Sequence, residues 1–256
     1  METFADYILN EKDYMKKLGI MYFLEKKADV FFDNSVVFKT AIAKMFIEHA
    51  KLDVDENLVL TASLLCSCKK SDNPQDFSRV QSYAKEGAEY LADLGFSSKF
   101  CKICEEQNRY SGSEPREKES DILELVDQFG GMLLHRPERM GFAVDEALCL
   151  LEHRNLKEKY NRYLEPFKDF VEEMEQIKVN GKGAITEMKN RINLCEKTNT
   201  KAGMEVTLES MNRIKLEQRR QDIEERSVII GGEVRKIDAF GIAEAVKHDV
   251  ENEYVM

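Results

Sequence analysis

Apolar residues over the first 178 positions recur at spacings of three and four, the signature of helices that bury one face. Met15, Leu18, Met21, Tyr22 and Leu24 form such a stripe, and the spacing predicts a helix over 14–32. Asn34-Ser35 offers a cap for a second helix over 36–50, with Val37, Ile42, Met45 and Phe46 on its apolar face. Leu52 to Asp55 reads as a turn. From Glu56 to Leu65 apolar side chains occupy nearly every side, which places this helix at the centre of a domain. Further helices are predicted over 80–94, ended by Gly95, and from Ser97 through Cys104. Three more follow: 121–134, broken by Pro137; 144–153, with Asp145 as its cap; and 160–177.

Asn180-Gly181-Lys182-Gly183 is the strongest break in this pattern and is read as a boundary. Beyond it, Ile185, Met188, Ile192 and Cys195 form one narrow stripe, and Met204, Leu208 and Met211 another that runs on into charged Lys215 to Arg226. Such stripes need a surface to cover them, either the preceding helices or another chain. Val228 to Gly232 suggests a short hairpin. The expected organisation is an all-α bundle over 1–178 followed by a charged, mostly helical extension over 179–256.

Composition agrees with that fold class. Four prolines among 256 residues leave few helix breakers, and a charged share of 34% suits helices with wet outer faces. The formal net charge of −10 opposes nonspecific nucleic-acid binding. Nowhere do about 18 apolar residues run together, so no membrane span is expected. Met1 to Asn10 carries Glu2 and Asp6 and has no basic-then-apolar pattern, so the chain is expected in the cytoplasm. The six cysteines, Cys66, Cys68, Cys101, Cys104, Cys149 and Cys195, are expected as free thiols there.

At Leu64 to Lys70 the chain resembles the HD phosphohydrolase superfamily, in which an apolar helix ends in a His-Asp pair followed by a lysine. Four later segments resemble the HD-GYP branch in order and spacing: Gly87-Ala88-Glu89-Tyr90-Leu91, Glu105 to Pro115, Asp121 to Phe129, and Arg136-Pro137 with the Asp145-Glu146-Ala147-Leu148 helix. The resemblance covers about residues 36–178. It implies a helical HD bundle and, for intact members, hydrolysis of cyclic di-GMP by divalent ions that activate a bridging water.

Position by position, the resemblance also implies that the metal ligands have been replaced. Lys39 stands where the first histidine is expected, Cys66-Ser67 where the His-Asp pair is, Tyr83 where a helix histidine is, and Glu105-Glu106 where two adjacent histidines are. Asp127 keeps the last aspartate, Lys70 matches the phosphate-contacting lysine, and only Pro115 remains of the Gly-Tyr-Pro element. The expectation is a catalytically inactive regulatory or scaffolding protein of bacterial signalling with no cofactor. Its partner is expected to be another protein, or a second copy met through the carboxy-terminal helices, or a cyclic dinucleotide contacting Lys70 and Arg109, with Lys102 as a further phosphate contact. The alternative is a metal-dependent cyclic di-GMP phosphodiesterase with a rearranged site. Cys66, Glu106 and Asp127 could rebuild a site for zinc or another divalent ion, since thiolates and carboxylates are competent ligands. The four histidines fall away from the ligand positions and are expected to pack or face solvent.

Overall fold

The computed structural model describes residues 3–28, 30–70, 77–107, 116–155, 161–225, 227–230 and 233–236. The fold is all-α, as the periodicity predicts. Eleven α-helices are present among the described residues: α1 (Phe4–Asn10), α2 (Tyr14–Lys27), α3 (Asn34–Ala50), α4 (Glu56–Leu65), α5 (Phe77–Asp93), α6 (Ser98–Glu106), α7 (Lys118–Leu133), α8 (Val144–Leu150), α9 (Leu164–Gln176), α10 (Ala184–Asn193) and α11 (Thr200–Glu225). One π-helical turn, Leu151–Asn155, prolongs α8. Strands β1 (Lys178–Val179) and β2 (Lys182–Gly183) make one small antiparallel pair. Strands β3 (Ser227–Ile230) and β4 (Glu233–Lys236) make another, where the sequence suggests a hairpin.

Helix α4 is buried along its whole length from Val59 to Leu65, as its all-round apolar pattern requires. It packs between α3, α6 and α7. Phe46 of α3, Phe129 of α7 and Phe167 of α9 interlock, with ring centroids 5.0 Å apart for Phe46–Phe167 and 5.2 Å for Phe129–Phe167. Buried edge-to-face aromatics of this kind fix the lateral positions of the helices that carry them. The register between α3 and α7 is set in this way.

Local boundaries depart from the periodic reading where side chains other than the apolar ones decide. Helix α2 stops at Lys27, not at Phe32, because Val30 and Phe32 are buried from a non-helical segment whose Phe31 N–H donates to Cys68 O at 3.1 Å. Asp33, not Asn34-Ser35, caps α3, its Oδ1 accepting from Ser35 N at 2.9 Å and Val36 N at 3.2 Å. Asp145 does not cap α8. Glu146 reaches back to accept from Ala143 N at 3.0 Å, which places the cap two residues earlier. The start expected at Tyr160 lies outside the described residues; α9 begins at Leu164, after Asn161 accepts from Tyr163 N. Gly95 ends α5 with φ +91°, and Phe96 N donates to Leu91 O at 3.1 Å in a Schellman closure.

The Asn180-Gly181 break is a two-residue hairpin turn, with φ of 53° and 76° at its two residues. It does not end the packed core. Ile185, Met188 and Ile192 of α10 and Met211 and Ile214 of α11 are buried in the same hydrophobic cluster as α3 and α9. The narrow stripes expected to meet a partner or a second copy are therefore covered by this chain itself. Among the described residues no helix is long and apolar enough to cross a membrane.

Candidate functional site

The polar group of most interest sits where α3, α4, α5 and α7 come together. Lys39 on α3 is buried, and its Nζ lies 2.7 Å from Oδ1 of Asp127 on α7. The approach is made possible by Gly130 and Gly131, which follow Asp127 by three and four residues and so share its face. A β-carbon on Gly130 would lie 2.7 Å from Lys39 Cγ. One on Gly131 would lie 3.2 Å from Arg136 Nη2 and 3.9 Å from Lys39 Nζ. The glycine pair thus clears a channel for the lysine stem and brings the Arg136 guanidinium beside the Lys39 ammonium.

Cys66 and Ser67 follow the last residue of α4, and a turn with Lys70 N donating to Ser67 O at 2.9 Å brings Lys70 round to the same place. The Lys70 ammonium lies 5.8 Å from the Phe31 ring centroid and 5.9 Å from that of Tyr83 on α5. Among the described residues it has cation–π neighbours and no hydrogen bond or ion pair. Tyr83 is buried, and its hydroxyl accepts from Gln107 Nε2 at 2.9 Å. Arg136 is held in the turn after α7, where Arg139 donates to the carbonyls of Gly131, Met132 and Met140 and so closes the end of that helix.

The charges in this group act on one another. Burial alone would raise the Asp127 carboxyl, but Lys39, Lys70 and Arg136 together hold it below the usual aspartate value. Lys70 is lowered to about 8 by the neighbouring Lys39 ammonium and by burial, against the attraction of Asp127 and Asp33. Burial, reinforced by Asp127, pushes the Cys66 thiol up to about 12. The same two causes raise Tyr83 well above the usual phenol value. Cys66 is thus a neutral thiol and Tyr83 a neutral phenol at physiological pH.

The residues that the sequence singles out divide between two places. Lys39, Cys66, Lys70, Tyr83 and Asp127, remote in sequence, act electrostatically on one another in the group just described. Glu106 is fixed at the beginning of α7, its Oε2 accepting from Ser120 Oγ at 2.6 Å and from Glu117 N at 2.8 Å. It belongs with a buried network in which Arg116 bonds Glu124 at 2.6 Å and Arg162 bonds Asp121 at 2.6 Å. Lys102 is paired with Glu117 at 3.2 Å on that side. Arg109 and Pro115 lie outside the described residues. Arg136 is the member of the group that site reasoning from sequence did not select. The glycine pair just before it was the available signal, because glycine inside a helix marks close approach by a neighbour.

The residues do not fit a divalent ion. Among the described residues no three histidine, cysteine, aspartate or glutamate side chains are grouped to hold one. Cys66 and Asp127 do not gain Glu106 as a third ligand, because the latter is committed to α7. An ammonium, not an electron-pair donor, faces the Asp127 carboxylate. The cysteines of α6 do not form a knuckle either. Cys101 and Cys104 are buried in the core with Cys66 and Cys68, and burial together with those three neighbouring thiols raises Cys104 well above the usual value. Of the histidines, His49 packs on Phe170 at 5.5 Å and pairs with Glu173, while His135 and His153 are exposed. His248 lies outside the described residues.

Comparison with known proteins gave no match to a family model, to a curated protein or to a solved structure.

Proposed function

We propose that this chain is a non-catalytic protein of the HD-GYP kind, serving as a regulatory or scaffolding component of bacterial signalling by binding and not by hydrolysis. The observation that carries the reading is the Lys39–Asp127 contact of 2.7 Å. An ammonium supplies, internally and permanently, the positive charge that a catalytic cation would supply to the aspartate. Unlike a cation it cannot coordinate and acidify a water. Further support comes from Cys66 and Tyr83, both neutral, at positions where the resemblance requires imidazole ligands. The convergence of Lys39, Cys66, Tyr83, Lys70 and Asp127 also accords with the resemblance, which assigns all five to one site from four separated sequence segments.

The test is turnover of cyclic di-GMP by purified full-length protein supplied in turn with manganese, magnesium and ferrous ions. The expected result is no hydrolysis above that of buffer with the same ion. Metal-dependent hydrolysis abolished by Asp127→Asn would overturn the reading in favour of a phosphodiesterase with a rearranged site.

A further inference from the structure

The group around Asp127 carries more positive than negative charge. Lys39 is matched by Asp127 at 2.7 Å, which leaves Lys70 and Arg136 as surplus. The other carboxylate acting on Lys70 is that of Asp33, and it is already engaged. Its Oδ1 caps α3 and its Oδ2 faces Lys197 Nζ at 3.3 Å. Arg136 has Glu138 at 4.0 Å, a distance too long for a hydrogen bond, and half of its side chain is exposed. Among the described residues Lys70 is a cation half-buried beside Phe31, Tyr83 and other cations without a hydrogen-bonded counter-charge, an arrangement that a bound anion would stabilise.

We propose that Lys70, Arg136 and the outer side of the Lys39 ammonium form a binding site for a small free oxyanion, with inorganic phosphate or sulfate as the chemical class. Two surplus cations match a dianion. A β-carbon on Gly131 would lie 3.2 Å from Arg136 Nη2 and 3.9 Å from Lys39 Nζ, so the two nitrogens are near enough to each other for one tetrahedral anion to bridge them. Entry is from solvent, since Asp127 exposes 26% of its side chain and Arg136 50%. The assignment rests on the reading that this group holds no metal, because a coordinated cation on Asp127 would displace Lys39 from it.

The groups facing the Lys70 ammonium are Lys39 from α3, Asp33 before it, Asp127 from α7 and Arg136 beyond that helix. Of these, Lys70 is the one that changes charge near pH 8. Sulfate keeps its charge through that range, so its binding reports the state of the protein. Affinity for sulfate is expected to fall about tenfold between pH 7 and pH 9 as Lys70 loses its proton.

The experiment is calorimetric titration of the full chain with inorganic phosphate and with sulfate, at constant ionic strength in chloride. It is run once with a chelator present and once with manganese. Saturable binding with the chelator is expected. It should weaken at least tenfold in Lys70→Gln and in Arg136→Gln, and both variants should keep the parent's helical circular dichroism. Arg136→Gln changes a half-exposed side chain and serves if Lys70→Gln fails to fold. No saturable binding under either condition overturns the oxyanion assignment alone and leaves the non-metal reading standing. Binding that appears only with manganese overturns both. Binding of cyclic di-GMP tighter than that of phosphate overturns the assignment to a small ion.

Discussion

A β-carbon on Gly130 would lie 2.7 Å from Cγ of Lys39, so the absence of a side chain on α7 is what allows a lysine of α3 to lie across it and reach Asp127. Glycine in mid-helix ordinarily weakens the helix by about 1 kcal/mol relative to alanine. Here the lost propensity is offset by a buried contact that alanine would obstruct. The contrast with Gly19 is informative, since a β-carbon on that exposed residue of α2 would have nothing within 4 Å. Gly19→Ala is therefore expected to stabilise the protein by about 0.5–1 kcal/mol in urea unfolding. Gly130→Ala is expected to destabilise it by about 1–2 kcal/mol, because overpacking and a disturbed ion pair outweigh the propensity gain. Equal effects of the two substitutions would refute the close approach.

Removing one partner of the buried pair leaves the other uncompensated. Lys39→Met is expected to lower stability by about 2–3 kcal/mol, short of the full cost of a wholly buried charge because Asp127 retains some solvent contact. Adding Asp127→Asn to that variant should recover part of the loss, and a double-mutant cycle by urea denaturation measures the coupling. The pair also predicts acid sensitivity of definite sign. Asp127 is depressed in the folded state, so its contribution is complete above the unfolded aspartate value of about 4 and is lost as pH falls below it. An unchanged acid limb in the Asp127→Asn variant would contradict this.

At alkaline pH a different lysine dominates. Lys17 of α2 is fully buried, donating to Ile8 O at 2.5 Å and Thr61 Oγ1 at 2.7 Å, and so ties α1 and α4 to its own helix. Burial lowers it to about 8, so between that pH and 10.5 this site binds more protons in the unfolded chain than in the folded one. The stability of the parent relative to a Lys17→Met variant should therefore rise, by roughly 1–2 kcal/mol, as pH increases from 8 to 9.5. The four buried thiols, raised in the folded state, lower the stability of both proteins over the same range. Lys70, lowered for its own reasons, adds in the same direction as Lys17. Above pH 10 the buried Tyr14 acts with the thiols and against the lysines, since burial keeps its phenol protonated in the folded state alone. Chemical unfolding of parent and variant across pH 7–10 checks the sign, and a difference between them that stays constant or falls over 8–9.5 would be inconsistent with a buried Lys17.

Thiol reactivity follows the same burial. Cys149 is exposed and Cys195 half-buried, whereas Cys66, Cys68, Cys101 and Cys104 are buried with raised thiol pKa values. A disulfide reagent at neutral pH should titrate Cys149 and then Cys195 quickly, and the remaining four only on the timescale of unfolding. Rapid reaction of all six would mean that α4 and α6 do not pack as described.

The helices were legible in the sequence wherever an apolar stripe was the deciding force, as in α4 and α10. Boundaries set by a single polar side chain were not. Asp33 displaced Asn34 as the cap of α3, and the apolar run Val30 to Phe32 extended the reading of α2 although those residues plug the core from outside it. The stripe of α11 showed that something must cover it, but periodicity cannot tell the chain's own α3 from another chain. At the candidate site, Lys39, Cys66, Lys70, Tyr83 and Asp127 were each identified by position, and their mutual influence is a property of the fold. Glu106 was assigned to the same place because a Glu-Glu pair stood where two ligands were expected. Its actual partners, Ser120 and the Glu117 N–H, belong to a helix start that no spacing along α6 could foretell.

The proposed function turns on Lys39, and not a metal ion, neutralising Asp127. Metal content of the full-length protein after equilibration with manganese and gel filtration, read by plasma mass spectrometry beside Asp127→Asn, tests it most directly. No stoichiometric manganese is expected in either protein. One or more ions per chain in the parent, absent from the variant, would contradict it.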